Sequence, residues 1–145
     1  MSYEVQLTES YFPAQSDGAI REITLGEQLR ETAKQYPEKV ALVEIDIDGL
    51  AGRSWTYQEL LSTSETLALA LAGRFTPGER ITVWSPNTPE WVSMEFACAL
   101  AGIVIVTANP ALQVRELRYV IEHSGSVALF LVDEYRGNPM GEIGI

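Results

Sequence analysis

The side chains in this 145-residue sequence that could move protons or hold a metal are mostly its 20 acids, and strong nucleophiles are few. There is one cysteine, Cys98, and one histidine, His123. Cys98 lies in Phe96-Ala97-Cys98-Ala99-Leu100, an apolar helical context that suits a small buried hydrophobe. A nucleophilic thiol needs an activating base beside it, and His123 has no sequence relation to Cys98. One cysteine also excludes a disulfide framework or a zinc cluster within the chain. The two lysines, Lys34 and Lys39, flank Pro37 and fit a solvated surface. The acids are scattered over helix starts and turns. Neither a Gly-x-x-x-x-Gly-Lys-Ser/Thr loop nor a Gly-x-Gly-x-x-Gly fingerprint occurs, so no glycine-rich loop lets backbone amides close on a phosphate. Bare helix N-termini are the only phosphate-binding geometry left. Arg136 stands apart. It follows the apolar run Val127–Val132 within Asp133-Glu134-Tyr135-Arg136-Gly137. Ligands bind at the carboxyl ends of parallel strands, and a guanidinium pairs well with phosphate. The plain alternative is a surface arginine paired with Glu134 or with solvent.

The elements that must position these residues belong to an ordinary globular chain. Hydrophobic residues make up 46% and charged residues 21%, which argues against disorder. The formal charge of −10 is the reverse of what a free-standing nucleic-acid binder needs. The N-terminal MSYEVQLTES is polar and acidic, unlike a secretion signal. The run Phe96–Ala108 is too short to span a bilayer and is divided by Gly102. A cytoplasmic location and no transmembrane segment are therefore expected.

Residues 1–23 read as an irregular arm. Thr24 and Glu27 form a capping-box pattern, followed by Leu25, Leu29, Thr32 and Ala33 on one helical face, and Pro37 sets the limit. Val40–Ile47 is strand-like and apolar on both faces, Asp48-Gly49 signals a turn, and 53–57 returns as a strand. Thr56 and Glu59 repeat the box before a helix with Leu60, Leu61, Ser64, Leu67, Ala68 and Leu71 inward. Pro77-Gly78 turns the chain into a buried strand over 80–85. Thr88, Pro89 and Glu90 start the next helix, which Gly102 ends, with a left-handed backbone expected there. Ile103–Val106 is a strand, 112–123 a helix ended by Gly125, and Val127–Val132 a last strand. Short apolar strands joined by helices predict an α/β fold: a mostly parallel sheet with helices on both faces.

Several of these segments, in this order, resemble the adenylate-forming enzymes. Trp55-Thr56-Tyr57-Gln58-Glu59-Leu60 is similar to the family's first core motif. Pro77-Gly78-Glu79-Arg80-Ile81 resembles its Pro-Gly-Asp-Arg-Val segment, and Ser85-Pro86-Asn87-Thr88-Pro89-Glu90 its Pro-Asn-x-x-Glu loop. Ala99-Leu100-Ala101-Gly102-Ile103-Val104 with Asn109-Pro110 resembles the second core motif, and Glu116-Leu117 and Ser124-Gly125 continue the match. Val104-Ile105-Val106-Thr107 fits acyl-CoA ligases better than peptide-synthetase adenylation modules, which favour a Tyr-Leu-Pro-like ending.

The resemblance implies the N-terminal subdomain of an acyl-CoA ligase over residues 24–145, ending before the ATP phosphate loop. The parent would join a carboxylic acid, such as a fatty acid, to CoA through an acyl-adenylate, using ATP, Mg and CoA. In some acyl-CoA ligases an arginine just after the equivalent strand lies near the nucleotide part of CoA, a role that falls to Arg136. The motifs present here chiefly build scaffold. No catalytic residue is expected in this chain, which alone would be inactive and would bind none of these cofactors. The missing remainder of the ligase domain is its expected partner, with homo-oligomer formation possible and nucleic acid not expected. A free-standing interaction module of the same fold is the rival reading.

Overall fold

The structure is a computed structural model and describes residues 18, 20–46 and 48–143. Most of the expected arm over 1–23 lies outside these residues, and the described part, 18 and 20–23, carries no helix or strand.

The first helix, α1 (Leu25–Gln35), begins as the capping pattern requires. The Thr24 hydroxyl accepts from the Glu27 N–H at 3.1 Å, and the Glu27 carboxylate accepts from the Thr24 N–H at 2.9 Å. The buried stripe is Gly26, Leu29 and Ala33, whereas Leu25 is exposed. Leu29 and Ala33 are buried and Thr32 half-buried as expected, but at the start of the stripe Gly26 takes the place of Leu25, because the helix meets its neighbour through Gly26. A Cβ there would lie 2.9 Å from the Leu100 Cδ2, so a larger residue would have to push that side chain aside.

β1 (Val40–Ile45) and β2 (Ala51–Thr56) pair antiparallel with two register shifts. Ile47 lies outside the described residues. The Asp46 carboxylate organises the turn, accepting from the N–H groups of Asp48 at 3.0 Å and Leu50 at 2.8 Å. The second strand ends one residue earlier than 53–57 implied, because Thr56 caps α2 (Tyr57–Ala72) and Tyr57 is already helical. Apart from Glu44 both faces of β1 are apolar, but Val40, Val43 and Ile45 are exposed. A two-stranded ribbon buries little on its own.

The parallel sheet holds β3 (Arg80–Trp84), β4 (Val104–Ala108) and β5 (Ala128–Leu131) in the order β4-β3-β5. Central β3 buries Ile81, Thr82, Val83 and Trp84. Alternation along the strands divides the core between two faces. On one face Ile81, Ile105, Ala128 and Phe130 pack with α2 and α3 (Pro89–Ala101). On the other Trp84, Ala108, Leu129 and Leu131 pack with Leu117 and Val120 of α4 (Val114–Ser124) and Met140 of α5 (Met140–Ile143). The fold is thus α/β with a mostly parallel sheet and helices on both faces. Thr82 is the buried polar exception in the sheet. Its hydroxyl donates to Ser126 at 2.8 Å, and Ser126 meets Ser124 at 2.8 Å. Among the described residues no helix is long and apolar enough to cross a membrane.

Candidate functional site at the sheet switch point

From β3 the chain runs through α3 to β4 on one side. It then crosses through α4 to β5 on the other side of β3. The connections leave β3 and β4 toward opposite faces of the sheet, so a crevice opens at the carboxyl ends of β3 and β5. Open α/β sheets bind ligands at such a switch point. The crevice has a volume of about 370 Å³. Val83, Ser85 and Phe130 to Val132 line it from the sheet, and Thr88, Glu90, Trp91 and Met94 from the start of α3.

The helical wall has a local cause. The Thr88 hydroxyl accepts from the Trp91 N–H at 3.2 Å, Pro89 takes the first helical position, and α3 therefore starts where the loop from β3 ends. The Trp84 indole N–H donates to the Asn109 carbonyl at 2.8 Å, tying the end of β3 to the loop after β4.

Arg136 sits just beyond β5 in a two-residue turn. Tyr135 and Asn138 exchange both backbone hydrogen bonds, at 3.1 and 2.9 Å. The central residues both have positive φ, 49° at Arg136 and 79° at Gly137. That is the backbone of a type I′ turn, in which glycine is at ease and arginine is not. The Asn138 side chain donates to the carbonyls of Pro110 at 3.1 Å and Leu112 at 3.3 Å, anchoring the turn to the loop after β4. The Arg136 guanidinium lies 5.2 Å from the centre of the Tyr135 ring. It makes no ion pair among the described residues. Glu134, the expected surface partner, instead accepts from the Gly137 N–H at 3.3 Å.

The remaining chemical candidates are kept apart. Cys98 is buried, and burial with the nearby charge of Glu95 pushes its thiol up to about 11, so it stays protonated. His123 stacks on Tyr119 with ring centres 5.2 Å apart, on α4, and is exposed. Among the described residues no three His, Cys, Asp or Glu side chains converge.

Two contributors were not legible. Asn138 follows Arg136-Gly137 at the spacing of a tight hairpin, which is a usable signal. Arg53 and Glu90 meet at 3.0 Å across 37 positions, and nothing local in the sequence joins them.

Comparison with known proteins decides the family: the model for AMP-binding enzymes matches residues 29–142. The chain belongs to the AMP-binding enzyme family. Among relatives of this AMP-binding chain is the mitochondrial medium-chain acyl-CoA ligase ACSF2 of Danio rerio. It is 35% identical over 116 residues, covering 79% of this chain and 18% of that protein. Triostin synthetase I of Streptomyces triostinicus is 34% identical over 114 residues, covering 78% of this chain and 20% of that protein. The AMP-binding chain spans about a fifth of the length of the curated relatives it matches. Among solved structures, the N-terminal subdomain of Klebsiella oxytoca NpsA aligns with a TM-score of 0.68 at 24% identity. The alignment covers 80% of this chain and 29% of that one, and the likeness is one of fold.

Proposed function

We propose that residues 24–145 form scaffold of an ATP-dependent acid–thiol ligase and that Arg136 contributes to its CoA site. In the reaction a carboxylate oxygen attacks the α-phosphorus of ATP, releasing pyrophosphate and giving an acyl-adenylate. The CoA thiol then loses its proton and attacks the acyl carbon, expelling AMP. Adenylation turns a poor leaving group into a good one. ATP, magnesium and CoA are cofactors of the whole ligase. The chain by itself makes no acyl-adenylate, because preorganised donors at the reacting phosphate usually supply the largest catalytic contribution. No glycine-rich phosphate loop occurs in its sequence. CoA is favoured as the thiol on the ending of the second core motif and on relatives named acyl-CoA ligases. Triostin synthetase I, at comparable identity, keeps a peptide-synthetase adenylation module as the second reading. A cytoplasmic location rests on the sequence alone, and the ACSF2 relatives are named mitochondrial.

The observation that carries the role of Arg136 is its strained, anchored placement. A non-glycine residue at φ 49° costs free energy wherever it is tolerated, and such residues concentrate at functional sites. The turn is pinned through Asn138 at the carboxyl end of β5, and its guanidinium is exposed and without an ion pair among the described residues. Such a group suits a phosphate of CoA.

The test is steady-state kinetics of the ligase containing this chain. Arg136→Ala raises KM for CoA, on the order of tenfold for one lost charge-assisted contact, while acid-dependent pyrophosphate exchange persists. Equal loss in both assays makes Arg136 structural. Exchange by the purified 145-residue chain alone would overturn the scaffold reading.

A further inference from the structure

We propose that Arg53 is a positioning residue for the switch-point crevice, acting through Glu90 to keep the mouth of that crevice open to a polyanionic ligand. The proposal rests on the reading that Arg136, just beyond β5, belongs to the CoA site, and takes CoA past the crevice at the end of the same strand. Glu90, in the first turn of α3, is the one charged residue among those lining the crevice. It also walls a second groove of about 630 Å³ between β2, α2 and α3. A carboxylate standing between two openings repels phosphate from whichever one it faces.

Arg53 fixes that side chain. Its guanidinium donates to Glu90 at 3.0 Å and to both oxygens of Glu44, at 2.7 and 3.0 Å. It lies 5.1 Å from the centre of the Trp55 ring, two residues along the same strand. The Glu44 fork and the ring hold the cation on the hairpin, and the hairpin-held cation holds Glu90. The forked, planar guanidinium suits this shared duty, and its charge is permanent. The ribbon of β1 and β2, which is not part of the parallel sheet, thereby reaches the ligand end of that sheet.

The pair is solvent-exposed, so the effect is modest and depends on salt. The experiment measures KM for CoA in the ligase containing this chain, at low and high ionic strength. Arg53→Gln raises KM about two- to fivefold at low salt, the range in which exposed ion pairs act. The difference shrinks at high salt. Glu90→Gln in the Arg53→Gln background restores KM toward wild type, and Arg53→Lys, which keeps the charge but loses the fork that spans Glu44 and Glu90, falls between wild type and Arg53→Gln. If Arg53→Gln fails to fold, Glu90→Lys is the substitute, and it lowers KM at low salt.

A rise in KM that Glu90→Gln does not relieve, or that ignores salt, overturns the proposal in favour of a structural brace. An unmoved KM in Arg53→Gln, with Arg136→Ala impaired, overturns this inference and leaves the CoA reading standing. Relief by Glu90→Gln with Arg136→Ala unimpaired upholds the inference and removes the assignment of Arg136. A ligase that forms no CoA thioester overturns both.

Discussion

Gly102 and Arg136 are both in the left-handed region, at φ 72° and 49°, and they differ in why. At Gly102 the helix α3 must stop and hand the chain to β4, and glycine does so without a steric penalty. A Cβ there would also stand 3.3 Å from the Pro77 Cβ. Gly102→Val combines a left-handed β-branched residue with that contact. It is expected to cost about 2 kcal/mol and to lower Tm by several degrees in thermal unfolding. An unchanged Tm would show that the chain finds another way from α3 to β4. At Arg136 no such economy operates, and the strain is read as the cost of placing a cation at the end of β5. Cys98 marks the opposite case. It is chemically the most reactive side chain by type, and burial makes it packing material.

At the scale of elements, hydrogen-bonding patterns of three-residue span decide where helices begin. Thr56 ends β2 and starts α2 at once. Its hydroxyl accepts from the Glu59 N–H at 3.2 Å, while the Glu59 carboxylate accepts from the Thr56 N–H at 2.8 Å. Thr56→Ala removes half of this box and is expected to cost about 1 kcal/mol in chemical denaturation. Thr56→Ser, which keeps the acceptor, should cost much less, and equal losses in the two would locate the effect in β2 packing instead. The same box at α1 is sensitive to acid. Hydrogen bonds from the Thr24 backbone and then its hydroxyl hold Glu27 below its ordinary value. A depressed carboxylate contributes stability that is present above its unfolded value and is lost as pH falls through the lower folded one. The start of α1 therefore loosens as pH falls below the ordinary carboxylate range and through the lower folded value of Glu27. Glu44, held down first by its hydrogen bond from Arg53, follows the same sign at the hairpin.

At the scale of the whole molecule, β4 and β5 are the two edges of a three-stranded sheet, and the hairpin exposes Val40, Val43, Ile45 and Leu50. Val104, Val114 and Val127 are exposed around the sheet as well. Strand edges beside apolar surface are templates for association. The purified 145-residue chain is expected to self-associate at micromolar concentration. Sedimentation showing a clean monomer would refute this and leave those surfaces stable in water as they stand.

The α/β class, nearly all element positions, the caps at Thr24, Thr56 and Thr88, and the stop at Gly102 were legible in the sequence. Each depends on residues within a few positions of one another, or on the period of an apolar pattern, and such interactions are written locally. The family-like segments were legible for the same reason. Three things were decided only by the tertiary structure. Gly26 faces Leu100 because two helices cross there, and this shifted the buried stripe away from Leu25. The crevice exists because β5 lies on the opposite side of β3 from β4, a strand order that no periodicity encodes. Arg53 reaches Glu90, and Asn138 reaches Pro110 and Leu112, across 37, 28 and 26 positions. Contacts at such separations follow from how layers stack, and a chain read in order holds no record of them until it is folded.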